Sequence, residues 1–325
     1  MAEISAGNAT SSKAKRASYT APARSDHESA VGEYLRGGMS HDSNRQVRER
    51  PVIPLSGAAP QDAATPVSGL GVVVRTLLAT ITGNLYLVVG TLFFSVVSIL
   101  VAPIPPRGNW TNRAARMWAQ GLLWSSWIRL QVVNAEVVGS PAAPGAGDGR
   151  FVIMANHQSL FDIPALLAAI PGQSRFVAKR SLFRIPVFGW AMALGGFVPV
   201  DRKDRSTAKD SFAAALDKIA RGASIVVFPE EIRSLGGKVL PFRRGGFLMA
   251  LKSGLPIVPV GLHGTLAVQS RRSFLVRPQT VTVRFGEAVA LAGRSIRELP
   301  ALTEEVRSRV AELAGTECAD EDLPQ

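Results

Sequence analysis

Cysteine is nearly absent from this chain. The single thiol, Cys318, stands beside an acidic C-terminal stretch, so no disulfide can close within the chain and its usage fits a reducing compartment. Catalytic templates are missing as well. There is no P-loop, no GxGxxG, no GxSxG elbow, and no HExxH or CxxC spacing around any histidine. No metal and no redox cofactor is therefore expected. Zinc-finger spacings, an RRM signature and basic heptads are also lacking, so the net charge of +12 points to an anionic membrane surface and not to nucleic acid. The start of the chain has no charged segment running into an apolar core, and no cleavable secretory signal is expected.

Charge itself disappears between Arg75 and Arg107. Within that gap residues 85–104 are almost wholly apolar, long enough for about 30 Å of hydrocarbon, and Pro103, Pro105 and Pro106 end the run. An amphipathic stretch follows at 113–130. Trp110, Trp118, Trp124 and Trp127 cluster there beside Arg113, Arg116 and Arg129, the composition of an interfacial belt. The alternative is a pair of ordinary core helices. Basic residues flank the apolar run on both sides, so orientation stays open, as does the choice between a span and a helix pair in one leaflet.

Residues 1–68 are rich in Ala, Ser, Gly, Pro, Arg and Asp without an apolar period, and are expected to be a disordered tail. Residues 69–131 form the anchoring helices, 132–314 the main domain, and 315–325 a C-terminal tail. In the main domain short apolar runs alternate with helical segments. Strands are expected at 131–138, 151–155, 175–178, 196–200, 224–228, 257–262 and 281–285, and helices at 159–170, 186–194, 207–220, 245–253 and 302–313. Continuous Val/Ile/Phe runs with helices between them predict an α/β fold, a largely parallel sheet covered by helices on both faces. Pro256 and Pro259 suggest an edge or strand-start position for 257–262.

The run Phe151 to Ala155 leads into Asn156, His157, Gln158, Ser159, Leu160, Phe161 and Asp162. Five residues turn about 500° on a helix, so His157 and Asp162 can meet only if the histidine lies in the turn before the helix. Ser159 as N-cap, with Asp162 three residues on, supports a helix start there. In one reading Asp162 is only a capping acid. In the other it accepts a hydrogen bond from one imidazole nitrogen, setting the tautomer and freeing the other nitrogen as a general base.

Other strand ends carry charge: Asp201 and Arg202 after 196–200, and Glu230, Glu231, Arg233 and Ser234 after Phe228 and Pro229. Parallel sheets gather function at such carboxyl ends. Arg243 and Arg244 precede a helix, where arginines and free backbone N–H groups can hold a phosphate. Each pair alone could equally be a solvated surface feature. His263 has no evident partner and reads as structural.

Taken in series, Asn156, His157 and Asp162, then Gly196, Phe197, Asp201 and Arg202, then Phe228, Pro229, Glu230, Arg233 and Ser234, then 255–260 resemble the four motifs of the glycerolipid acyltransferases. Most similar are the bacterial 1-acylglycerol-3-phosphate (lysophosphatidic acid) acyltransferases. The resemblance covers roughly 113–285 and implies an α/β fold behind an N-terminal two-helix membrane anchor. It implies acyl transfer from acyl-CoA or acyl-carrier protein to a lysophospholipid hydroxyl. His157 would be the base and Asp162 its orienting partner. Arg202, Glu230 and Arg233, with Lys179, Ser234, Arg243 and Arg244, would hold the acceptor's phosphate and headgroup. The setting so implied is the inner membrane, with the catalytic domain on the cytoplasmic face. One departure stands out: Glu231 and Ile232 occupy places where the family usually has Gly-Thr. That departure predicts an altered acceptor, such as lyso-ornithine lipid, or else a lipid-binding member without turnover.

Overall fold

Asn109–Ser125 packs between a long apolar helix and the sheet, and this stack sets the layering of the protein. The computed structural model describes residues 69–105, 108–138, 149–201 and 205–320, the side chains of 205–210 excepted. The expected tail at 1–68, the loop residues 139–148, Arg202 and residues 321–325 lie outside the described residues.

In chain order the elements are α1 (Gly69–Val101), α2 (Asn109–Ser125), β1 (Arg129–Val133), β2 (Val152–Ala155), α3 (Asp162–Ala169), β3 (Ser174–Lys179), α4 (Phe188–Leu194), β4 (Val198–Val200), α5 (Arg205–Ala220), β5 (Ser224–Val227), α6 (Gly245–Ser253), β6 (Ile257–His263), α7 (Thr265–Val268), β7 (Thr280–Phe285) and α8 (Leu299–Ala314). The sheet order is β1-β7-β6-β2-β5-β3-β4, parallel throughout except where β7 runs against β6. Every residue of β2 is buried, and its side chains alternate between the two cores. Ile153 and Ala155 face the layer of α2 and α3, while Val152 and Met154 face that of α5, α6 and α8. That two-sided burial is why the strand reads as an unbroken apolar run.

Three expectations change. The 257–262 strand is central, between β7 and β2, and not at an edge. Pro259 is tolerated there because only its carbonyl is used, accepting from Gly286 N just past the end of β7, and the missing N–H falls in the break between the β7 ladder and the separate Ile257–Val289 bridge. The helix expected at 159–170 starts at Asp162. Pro164 dictates this, because a start at 159 would put it in the helix interior, where its missing N–H costs a bond; from Asp162 it lies in the first turn. The chain after α8 is bound to the domain as far as Ala319. Val239 N donates to Glu317 O, Ala319 N donates to Val239 O, and the buried Arg307 of α8 donates to both Val239 O and Ala319 O.

α1 is long and apolar enough to cross a membrane by length and composition. Its buried positions are small ones, Ala79, Gly83, Gly90, Ser95 and Ser98, whereas Leu77, Ile81, Leu85, Val88, Leu92 and Phe93 are exposed. A water-soluble helix reverses that arrangement. A seam of small residues facing protein, with bulky residues outward, is the pattern of a helix whose outer solvent is lipid. Polar links fasten the seam: Thr82 donates to Ser125 O at 2.5 Å, and Trp118 Nε1 donates to Thr91 Oγ1 at 3.0 Å. α2 is in turn tied to the sheet by Asn112 and Arg116, which donate to the carbonyls of Gly172 and Ile170, and by the buried Arg175. Arg175 donates to Asn112 Oδ1, Gly108 O, Ser174 O and Gln173 Oε1. Its burial pulls the guanidinium down to about 10.

Candidate active site

The carboxyl ends of β2, β5 and β6 adjoin at the centre of the sheet, and each delivers one part of a constellation. Just beyond β2, the buried amide of Asn156 bridges to β6. Its Nδ2 donates to Leu262 O at 3.0 Å, and its Oδ1 accepts from Leu262 N at 2.7 Å. Only an amide supplies both a donor and an acceptor at that place, so Asn156 extends the strand pairing by one side chain. Sequence reasoning gave this residue no role; an Asn at the end of an apolar strand was the available signal.

His157 follows, and its main chain is clamped from the β5 side. Its N–H donates to Glu230 Oε1 at 2.6 Å, and its carbonyl accepts from Ser234 N at 2.8 Å. The imidazole stacks on Phe228, with ring centroids 4.2 Å apart and planes at 23°. Nδ1 lies 2.8 Å from Asp162 Oδ2, and the histidine side chain is 15% exposed. Among the described residues Nε2 has no hydrogen-bond partner, which leaves it as the open nitrogen.

Asp162 is fully buried and caps no helix N–H; its carboxylate faces the imidazole and the turn that precedes the helix. Oδ2 accepts from Gln158 N at 2.6 Å and Ser159 N at 2.8 Å as well as facing the imidazole. One oxygen therefore orders the turn and the histidine at once. Ser159 is not the N-cap. Its hydroxyl is drawn off to Gln269 O at 2.7 Å. Asp162 Oδ1 is buried with no partner among the described residues.

Glu230 was expected to touch substrate, but in the structure it is 3% exposed, and both its oxygens are engaged by main chain. Oε1 accepts from His157 N, and Oε2 from Leu240 N at 3.0 Å. Burial pushes its carboxyl up to about 8, against the pull of those two N–H donors. The residue holds the site together. Ser234 is likewise buried, and its N–H meets the His157 carbonyl.

Arg233 is half-buried in the same loop, and Arg244 is exposed at the start of α6. Arg243, also exposed, donates its N–H to Pro229 O. A Cβ added at Gly246 would lie 3.2 Å from Val227 and 3.3 Å from Met154, so the first turn of α6 rests on the ends of β5 and β2. The basic N-terminus of α6 therefore opens beside the histidine. Lys179 is exposed at the end of β3, two strands from β2, about 10 Å away at sheet spacing. Asp201 follows β4, a further strand out, and Arg202 is outside the described residues. His263 Nδ1 bonds Ala314 O at 2.9 Å, a link to α8.

Glu231 has φ +61°, the left-handed region that favours glycine, and its carboxylate has no ion pair among the described residues. The chain keeps the backbone shape of the glycine that the motif usually carries there, but with a charged side chain.

Residues 129–263 match the family model described as Acyltransferase. A chloroplastic 1-acyl-sn-glycerol-3-phosphate acyltransferase of Brassica napus is 39% identical over 144 residues, 44% of this chain and 41% of that protein. One of Arabidopsis thaliana with the same description is 30% identical over 262 residues, 73% of this chain and 71% of that protein. The alignments thus span from under half to about seven-tenths of these relatives. The crystal structure of the 1-acyl-sn-glycerophosphate (LPA) acyltransferase PlsC from Thermotoga maritima superposes with a TM-score of 0.62 at 25% identity, covering 76% of this chain and 99% of that one.

Proposed function

This chain belongs to the glycerolipid acyltransferase family, and from that premise we propose that it transfers a fatty acyl group from acyl-CoA or acyl-carrier protein to the free hydroxyl of 1-acylglycerol-3-phosphate, giving phosphatidic acid. The observation that carries the reading is a histidine with Nδ1 held by a buried carboxylate, Nε2 open, and a basic helix N-terminus beside it. His157 Nε2 takes the proton of the acceptor hydroxyl as its oxygen attacks the thioester carbonyl. The C–O bond forms, the C–S bond breaks, and the departing thiolate recovers a proton from the imidazolium. No acyl-enzyme is needed, because the substrate supplies its own nucleophile. Asp162 stabilises the imidazolium, while Arg233, Arg243 and Arg244 with the α6 N-terminus receive the phosphate, and Lys179 and Arg202 serve the outer part of the headgroup.

Asp162→Asn tests the charge apart from the geometry. An amide oxygen in place of Oδ2 can still accept all three bonds, but the NH₂ then lands where Oδ1 has no partner. The turnover is expected to fall by about 10²-fold or more, with about 1–3 kcal/mol lost from stability, read by rate and urea midpoint. An unchanged rate would remove Asp162 from the mechanism.

The anchor reading is one leaflet, not a span. The buried seam of α1 from Ala79 to Ser98 covers about 28 Å, close to the hydrocarbon thickness, and protein lies against it throughout. Were α1 upright, α2 with its arginines and the sheet edge would sit in the acyl region. Lying flat, α1 presents its exposed Leu, Val and Phe side chains to lipid, each worth about 1.5–3 kcal/mol when buried. Trp124, 81% exposed, and Trp110, with Arg113 4.8 Å above its ring, fit the interface. The inner membrane, with the site facing the cytoplasm, is the setting that fits an acyl-carrier or CoA donor.

A second reading, an acceptor without a phosphomonoester such as lyso-ornithine lipid, is favoured by the carboxylate of Glu231, which has no ion pair among the described residues, in the loop that clamps His157. Glu231→Gly is expected to relieve about 1 kcal/mol of backbone strain and raise the unfolding temperature by about 2–4 °C. If this carboxylate repels phosphate, the same change lowers KM for lysophosphatidic acid alone. The primary test is release of thiol from acyl-CoA or acyl-carrier protein with each acceptor in turn. Release that requires lysophosphatidic acid supports the main reading, release only with the acceptor that lacks a phosphomonoester supports the second, and silence with all of them supports a lipid-binding protein without turnover.

A further inference from the structure

Phe274 is 86% exposed, the most exposed large apolar side chain among the described residues. It sits in the segment between α7 and β7, where Arg271 and Arg272 are also exposed and Leu275 is 41% exposed. Neither arginine makes an ion pair among the described residues. No Asp or Glu occurs from Gly264 through Gly286. Water gives this grouping nothing, yet the segment is ordered. Ser273 N donates to Ser270 O, Leu275 N to Ser273 Oγ, and Arg277 N to Val268 O at 2.9 Å. Val276 is only 1% exposed, a peg into the core.

The loop is also fastened to α1. Asn84 Nδ2 donates to Phe274 O at 3.1 Å, and Val276 N donates to Thr80 Oγ1 at 3.0 Å. Val72, Thr76 and Leu77 of α1 share one apolar cleft with Leu275. The exposed apolar face of α1 thus continues onto the loop, and where it ends the exposed Arg271 and Arg272 begin. Apolar tip, basic flank and continuity with a lipid-facing helix together describe one partner chemistry, a bilayer with acidic headgroups.

We propose that residues 271–275 are a second lipid-contact element, with Phe274 and Leu275 entering the hydrocarbon boundary and Arg271 and Arg272 meeting anionic phosphates of the lipid surface. This rests on the reading of α1 as a membrane-facing helix. The loop braces the domain against the bilayer at a point separate from the helix pair, which fixes how the site is presented to the surface that holds its lipid substrate.

The test uses the full chain with Cys318→Ser, so that one introduced cysteine carries an environment-sensitive fluorophore. Labels at Phe274→Cys, at Val88→Cys on α1 and at the distant exposed Arg297→Cys are compared on vesicles of phosphatidylcholine alone and of equal parts phosphatidylcholine and phosphatidylglycerol. Blue-shifted emission, quenched by spin-labelled acyl chains, is expected at 274 and 88 and not at 297. Arg271→Gln with Arg272→Gln is expected to lower the preference for the anionic vesicles by about 30-fold, about fivefold for each arginine. These exposed positions leave the unfolding midpoint and acyl transfer in mixed micelles unchanged. A shift at 88 without one at 274 overturns the loop proposal and leaves the anchor reading standing. No shift at either position overturns both. If Phe274→Ser instead dissociates an oligomer in detergent, the loop is a protein interface and the proposal fails.

Discussion

Replacing His157 by alanine is expected to lower acceptor-dependent thiol release by about 10³-fold, the scale of a lost general base, while the fold stays intact. The second half of that expectation follows from how the residue is held. Its N–H and carbonyl are bonded to Glu230 and to Ser234 N, and neither bond involves the side chain. Without the imidazole, Asp162 Oδ2 still accepts from Gln158 N and Ser159 N, so no buried carboxylate is orphaned. What is lost is the ring face on Phe228 and the open Nε2. A variant with unchanged urea midpoint, unchanged binding of lysophospholipid and almost no turnover assigns the imidazole to the proton transfer. A variant that turns over at the normal rate moves the base elsewhere and sinks the mechanism.

Much of this site could be read along the chain because its first components are local. His157 and Asp162 are five residues apart, and helix geometry alone required a turn before the helix. The apolar runs at β2, β5 and β6 were visible because strands buried on both faces carry no polar alternation. The misjudged parts depend on partners far away in sequence. Ser159 looked like a cap until its hydroxyl found Gln269, and Pro259 looked like an edge residue until β7 proved to stop beside it. The reversed direction of β7 has no signature in its residues, since Thr280–Phe285 would suit either pairing. Glu230 reads as a charged group at a strand end, the usual mark of substrate contact. Its actual neighbours are main-chain N–H groups of His157 and Leu240, which no spacing rule reveals. Arg175 and Arg307, buried on carbonyls, were hidden for the same reason.

Those neighbours make Glu230→Gln a consequential single-atom change outside the imidazole pair. A carboxyl group offers acceptors on both sides, whereas an amide must turn its NH₂ toward either His157 N–H or Leu240 N–H. Two donors then face each other in a buried place, at a cost of about 1–3 kcal/mol. Turnover is expected to fall by about tenfold or more, because a small displacement of the His157 backbone carries Nε2 with it. The pH dependence separates this from a generic loss of packing. Burial raises the folded-state pKa of Glu230 from 4.5 to about 8, so between those values the unfolded chain releases the proton while the folded protein keeps it. Stability from this group is complete below about pH 4.5 and is lost as pH rises toward 8, by an amount on the order of 5 kcal/mol. Gln cannot titrate. Its unfolding free energy is therefore expected to depend less on pH across this interval, and the gap between the two proteins to narrow as pH rises and to reverse before pH 8, because the loss in the wild type is larger than the cost of the amide. Urea midpoints at pH 5, 6, 7 and 8 measure the gap directly. A gap that stays constant across that range would mean Glu230 is already ionised in the folded protein, with the two N–H donors outweighing its burial, and the destabilisation of the variant would then be that of a lost hydrogen bond alone.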